Sequence, residues 1–158
     1  MGKKIEILSP FSGRVRPLGE VPDQVFARRM MGEGLAVEPT GDLATAPIAG
    51  SLDVFHSAGH AFSVKGRVDE EVAVLVHIGI DTVEMKGEGF ERFAEEGDEV
   101  EAGQKLARFD LEVIREAEYA TISPVTLPDL PEGYEVEKTS AESVEAGKDV
   151  LLTVVPPE

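Results

Sequence analysis

Cysteine is missing from all 158 residues. That removes disulfide staples and thiolate chemistry together, and leaves nitrogen and oxygen as the sources of any nucleophile or metal ligand. Long apolar runs are missing too. Hydrophobic residues make up 42% of the chain, yet none of their runs approaches the roughly 18 residues that a membrane helix needs. The basic start Met1-Gly2-Lys3-Lys4 leads into Ile5-Glu6-Ile7-Leu8, too short and too charged for a signal-peptide core, so a cytoplasmic protein is expected. Positive charge is scarce: 15 Lys and Arg stand against 31 Asp and Glu, a net charge of -16. Nucleic acid and anionic membrane surfaces are bound through clustered Lys and Arg, so neither is an expected partner. Solubility accounts for most of this charge, and the rest suits a basic partner surface, whose encounter it would speed.

The length fits one domain, residues 1–158. Ten prolines and 16 glycines punctuate short β-rich runs, the pattern of a sandwich or barrel. Strands are expected at Ile5–Leu8, Arg14–Leu18, Leu35–Glu38, Ser51–Phe55, Ala61–Val64, Val72–His77, Lys105–Phe109, Thr121–Thr126 and Val150–Val155. Short helices are expected at Asp23–Met31 and at Leu111–Ala117, where Asp110 is a plausible N-cap. Pro128–Glu137 reads as a loop. Two elements recur. Ser9-Pro10-Phe11-Ser12-Gly13 is matched by Ala46-Pro47-Ile48-Ala49-Gly50, and Val100-Glu101-Ala102-Gly103 by Val144-Glu145-Ala146-Gly147. The fold class is therefore all-β: an antiparallel β-sandwich, barrel-like, with short helical insertions and duplicated strand elements.

Histidine is rare and informative. There are three: His56, His60 and His77. His77 closes the most hydrophobic strand, Val72-Ala73-Val74-Leu75-Val76-His77, on the face of Leu75 and Ala73. Desolvation at such a strand end favours the neutral, nucleophilic imidazole. Gly79 permits a turn, and Asp81 follows closely enough to orient a ring nitrogen or tune its basicity. A histidine that merely satisfies a backbone carbonyl fits this segment equally well. His60 stands at the mouth of another strand; if the two strands are neighbours, both imidazoles meet in one shallow pocket. Such a pair suits phosphoryl transfer, one nitrogen attacking while the other ring donates hydrogen bonds to phosphate oxygens. His56 is expected to point elsewhere or into solvent.

The surrounding residues narrow the choice. Val76-His77-Ile78-Gly79-Ile80-Asp81-Thr82-Val83-Glu84-Met85-Lys86-Gly87-Glu88-Gly89-Phe90 closely resembles the active-site segment of the glucose-type enzyme IIA family of the sugar phosphotransferase system. Gly59-His60-Ala61-Phe62, Val21–Ala27, Met31–Pro39 and Ala46–Gly50 continue the resemblance in family order, which spans Ile5 to Leu111. The resemblance implies that His77 accepts phosphate from the carrier HPr and passes it to the IIB domain of a sugar permease. It makes His60 the partner that holds the phosphate without being phosphorylated. Asp81 is implied to orient His77 or to help expel the phosphate. An apolar docking ring is implied at Val25, Phe26, Met30, Met31, Phe55, Leu75 and Val83, with Phe26 and Met31 exposed rather than core.

Three departures stand out. The family commonly has Thr two residues before its second histidine, whereas this chain reads Ser57-Ala58-Gly59-His60, in a loop one residue longer. A membrane-binding N-terminal segment, present in some members, is not expected. Residues 121–158 resemble the family only loosely. No cofactor is required on this reading, although a zinc ion shared by His60 and His77 and completed by a partner carboxylate is compatible with it. The same apolar face would also serve regulated target proteins. Two other readings were set against it. A biotinyl or lipoyl carrier would use Glu84-Met85-Lys86-Gly87, but the usual residue after a biotinylated lysine is Met. A zinc hydrolase would use His77-Ile78-Gly79-Ile80-Asp81, with His56 and His60 supplying ligands.

Overall fold

The computed structural model describes residues 3–157; Met1 and Gly2 of the basic start, and Glu158, lie outside the described residues. Fourteen strands follow in chain order: β1 Ile5–Leu8, β2 Gly13–Arg16, β3 Glu33–Pro39, β4 Leu43–Thr45, β5 Gly50–Phe55, β6 Ala61–Gly66 and β7 Ala73–His77, then β8 Phe90–Arg92, β9 Glu99–Val100, β10 Lys105–Phe109, β11 Ser123–Leu127, β12 Glu135–Lys138, β13 Ser143–Val144 and β14 Val150–Val155. Two short helices interrupt them, α1 Gln24–Ala27 and α2 Leu111–Glu116. Every strand pairing is antiparallel. An eight-stranded sheet runs β13-β2-β3-β11-β7-β6-β5-β9, and two three-stranded sheets run β1-β14-β12 and β4-β10-β8.

All three sheets turn side chains into one apolar core. Phe11, Phe62, Phe109, Leu52, Leu106 and Leu151 are fully buried there, each such side chain contributing about 2–3 kcal/mol by leaving water. Alternation sets which residues go inward. On β7, Val74 and Val76 are buried while Ala73, Leu75 and His77 are only partly so, which puts His77 on the outer face beside Leu75.

The duplicated segments occupy equivalent places. Gly103 N–H donates to the Ala46 carbonyl at 2.8 Å, and Gly147 N–H to that of Ser9 at 2.9 Å. The order of the large sheet reads the same from either end: β13, β2, β3 and β11 correspond to β9, β5, β6 and β7. Register agrees, with Ala61 opposite His77 in one half and Glu33 opposite Leu127 in the other. Just before β3, Gly32 leaves no room for a side chain, because a Cβ there would stand 2.2 Å from the Leu127 carbonyl oxygen.

Some elements differ from expectation for local reasons. The strand expected over Arg14–Leu18 stops at Arg16, because Pro17 has no N–H to extend the ladder and Leu18–Glu20 turns as a 3-10 helix. The helix expected over Asp23–Met31 is one turn. Asp23 caps it by accepting the Val25 N–H at 2.8 Å, and Arg29, at φ 60°, unwinds it. Pro128–Glu137 is not wholly a loop, since β12 begins at Glu135 and pairs with β14. Lys86 follows a 3-10 turn, Thr82–Met85, rather than sitting in the hairpin that a biotinyl carrier needs.

Candidate functional site

Antiparallel pairing of β6 with β7 brings His60 and His77 together. Ala61 is opposite His77, and the Ile78 N–H donates to the His60 carbonyl at 2.7 Å. The two rings lie 5.2 Å apart, nearly perpendicular at 71°. The sequence-predicted pair is thus one site.

His77 is held through its own turn. Its Nδ1 is 2.6 Å from the Gly79 carbonyl oxygen, which only accepts, so the proton sits on Nδ1 and Nε2 carries the lone pair. Asp81 was expected to share in this orientation. It is exposed, at φ 62°, and the Gly79 carbonyl makes the contact instead. The turn is fastened on all sides: Gly79 N–H donates to Ser123 Oγ at 2.9 Å, Ile80 N–H to the Ala120 carbonyl at 3.0 Å, and Thr82 Oγ1 to the Ile78 carbonyl at 2.5 Å. Gly79 itself has φ 69°, and a Cβ there would meet the Ala120 carbonyl oxygen at 2.7 Å and Thr82 Cγ2 at 2.8 Å. Gly79→Ala is therefore expected to destabilise the fold by about 3 kcal/mol, lowering Tm by about 10 °C. Thermal unfolding of that variant checks it, and a shift under about 2 °C would show the turn to be more pliable than its contacts imply.

Burial pushes the His77 imidazole below the usual histidine range, against the Gly79 carbonyl and the carboxylates of Asp23 and Asp81, which favour the charged ring. His77 is thus neutral at pH 7, but among groups that welcome positive charge on it. Burial, with the like charges of His77 and His56, pushes His60 down to about 4. His60 Nδ1 is buried with no hydrogen-bond partner among the described residues. An orphaned buried N–H is rarer than an orphaned acceptor, which places the His60 proton on Nε2.

The depressed His60 value makes stability depend on pH. An unfolded His60 takes up its proton near pH 6.5 and the folded one near 4, so the unfolded chain binds more protons throughout that window. Stability is then lost as pH falls from 6.5 towards 4 and is unaffected by His60 above it. The loss amounts to about 2 kcal/mol once solvent screening at the pocket mouth is allowed for. Urea unfolding across this range checks it, with His60→Phe expected to flatten the acid limb; equal limbs in both proteins would contradict it.

The residues expected to form an apolar docking ring differ in exposure. Val25, Met30 and Val83 are exposed at 40%, 69% and 42%, whereas Met31 and Leu75 are half-buried. Two expected rim residues are not surface groups. Phe26 is buried because its ring packs 5.6 Å from His77 and joins a small cluster with Leu18, Val21 and Ile80. Phe55 is buried against Phe62 in the main core, with the Arg92 guanidinium over its ring. Sequence reasoning also missed three contributors. Asp23 was read only as a helix start. Phe90 lies 6.5 Å from His60. His56, expected to diverge, packs its ring 4.3 Å from His60. No group of three or more His, Cys, Asp or Glu among the described residues is placed to hold a metal ion, so nothing there favours the zinc hydrolase reading.

A neutral, carbonyl-anchored imidazole beside a second imidazole is chemically able to carry a transferable group on nitrogen. The family described as phosphoenolpyruvate-dependent sugar phosphotransferase system, EIIA 1, matches residues 5–133, and the chain belongs to it. The match runs past Leu111, where the resemblance read from the sequence ends. The glucose-specific EIIA component of Oceanobacillus iheyensis is 37% identical over 153 residues, covering 97% of this chain and 92% of that one. The mannose-specific EIIBCA component of Corynebacterium glutamicum is 36% identical over 150 residues, which span 95% of this chain and 22% of that longer one. Glucose permease IIA from Mycoplasma capricolum, a solved structure, is 34% identical, with a TM-score of 0.88 and 96% of each chain covered. The chain is accordingly a phosphotransferase component, a phosphocarrier of the sugar phosphotransferase system.

Proposed function

We propose that residues 1–158 act as one cytoplasmic IIA unit in which His77 accepts a phosphoryl group from phospho-HPr and delivers it to a cysteine of the IIB domain of a glucose-family sugar permease. The observation that carries this is the Gly79 carbonyl 2.6 Å from His77 Nδ1, which leaves Nε2 as the nucleophile. In the first step the bond from phosphorus to the HPr histidine breaks as a bond to His77 Nε2 forms, while His77 keeps its Nδ1 proton. The ring then bears positive charge, as it would on protonation. The groups that raise its basicity, namely the Gly79 carbonyl, Asp23 and Asp81, therefore also stabilise the phosphorylated ring. In the second step an incoming thiolate takes the phosphoryl group and His77 leaves as the neutral imidazole. The neutral His60 donates a hydrogen bond from its Nε2–H to a phosphate oxygen, where negative charge gathers in transfer.

A net charge of -16, with the carboxylates of Asp23 and Asp81 acting on His77, suits a basic carrier. The Corynebacterium relative, whose name joins B, C and A in one component, supports a IIB acceptor. Val25, Met30 and Val83 offer such partners apolar contact and keep water from the labile bond. A zinc ion on His60 and His77 fits less well. His60 would have to move its proton onto the buried, partnerless Nδ1 to free Nε2 for a metal, and the remaining ligands would have to come from a partner. Incubation with enzyme I, HPr and phosphoenolpyruvate, followed by intact mass, tests the proposal. One acid-labile, base-stable phosphoryl group is expected; no gain beside a working HPr control would overturn it.

A further inference from the structure

Among the described residues no hydrogen bond to Nδ1 orients the His60 ring. Its Nδ1 has no hydrogen-bond partner among the described residues, and the nearby Ser57 hydroxyl does not supply one. The torsion that turns an imidazole about its Cβ–Cγ bond is broad and soft. A half-turn of the ring would put carbon where Nε2 must donate. Of the aromatic rings around it, His56 is the nearest, its centroid 4.3 Å away at an interplanar angle of 57°, against 5.2 Å for His77 and 6.5 Å for Phe90.

His56 is exposed, yet it is pinned three ways. Its backbone N–H donates to the Ala61 carbonyl at 2.9 Å, its carbonyl accepts the Gly59 N–H at 2.8 Å, and its Nδ1 accepts the Ala58 N–H at 3.0 Å. An exposed side chain gains little stability from such immobilisation and loses rotamer freedom to it. The longer loop between Phe55 and His60 folds back so that this ring lands on its neighbour. Its proximity also opposes protonation of His60.

We propose that His56 is a positioning residue for onward phosphoryl transfer: its loop-anchored ring stacks on His60 and holds the Nε2–H of His60 towards the phosphoryl group on His77. This rests on the role given to His60 above. Aromatic pairs of this kind are worth enough to change a rate about threefold to tenfold.

The test uses the full chain, phosphorylated on His77, discharging in single turnovers to increasing concentrations of a purified glucose-family IIB domain. His56→Ala should lower the maximal transfer rate about threefold to tenfold, leaving half-saturation and acceptance from phospho-HPr within about twofold. NMR of the His60 ring protons should show one ring orientation in the parent, by their through-space contacts to neighbouring residues, and an average of two in the variant. His56→Phe, which keeps a packing ring but not the loop hydrogen bond, should restore both rate and ring orientation. An unchanged maximal rate in His56→Ala, unmoved His60 ring signals, or a failure of Phe to restore them would overturn the proposal. Should His60→Phe itself transfer at the parental rate, the role of His60 fails instead, so the two failures are told apart.

Discussion

His77→Gln is expected to yield a folded protein that takes up no phosphoryl group from phospho-HPr. The amide of Gln resembles imidazole in reach, but its nitrogen has no lone pair free to attack phosphorus. The neutral Nε2 of His77 has one, because the Gly79 carbonyl holds the only ring proton on Nδ1. Removing a nucleophile from an assembled site costs at least about four orders of magnitude in rate, well below detection in a mass assay over minutes. Folding should survive, since His77 is partly exposed on the outer face of β7 and the buried neighbours Val74 and Val76 keep their places. Intact mass after incubation with the phosphorylating mixture, alongside thermal unfolding, checks both halves. A folded variant that still gains a phosphoryl group would move the nucleophile elsewhere, with His60 or His56 the next to replace.

Replacing His60 by Phe separates the two halves of the relay. Phe keeps a planar ring for Phe90 and His56 to pack on, and loses nothing at the His60 Nδ1 position, where no partner exists. What disappears is the Nε2–H donor. Acceptance from phospho-HPr should persist, because the attacking atom and its anchor are untouched. Onward transfer to a IIB domain should fall about 10²- to 10³-fold, the usual loss when one donor to a developing oxyanion is removed. His60→Gln, whose amide reaches a similar point, should recover part of the rate. Stopped-flow quenching of discharge from the phosphorylated variants measures this. Discharge at the parental rate in His60→Phe would end the division of labour between the two imidazoles.

Much of this was legible in the sequence because it depends on local chemistry. Val72–His77 alternates and ends in an imidazole, so the strand and the outward face of His77 follow from period two. Gly79 announced a tight turn, which is present. Elements set by distant pairing were not legible. β9 and β13 are two residues long, and β4 and β8 three, too short for any pattern, and only their partners fix them. The same holds for the site. Spacing suggested that His56 diverges from His60, since Gly59 argues against a helix between them. The loop is indeed not helical, but it closes on itself through the Gly59 N–H and returns the ring to the pocket. Burial of Phe26 and Phe55 was similarly a matter of what lies opposite them, His77 and Phe62, which no run of neighbours along the chain reveals.

The mirrored order of the large sheet provides two corresponding positions, one in each half. At one, His60 precedes β6 and His77 closes β7; at the other, Gly32 precedes β3 and Leu127 closes β11. At the second, Gly32 lies backbone to backbone against Leu127, and neither residue is titratable. The chain thus carries its own internal control, a copy of the same frame that folds with neither imidazole. Chemistry and architecture are separable here: the reactive end is free to be altered, retuned or silenced by exchanging a few side chains, while the strands beneath it are specified by residues that never touch phosphate.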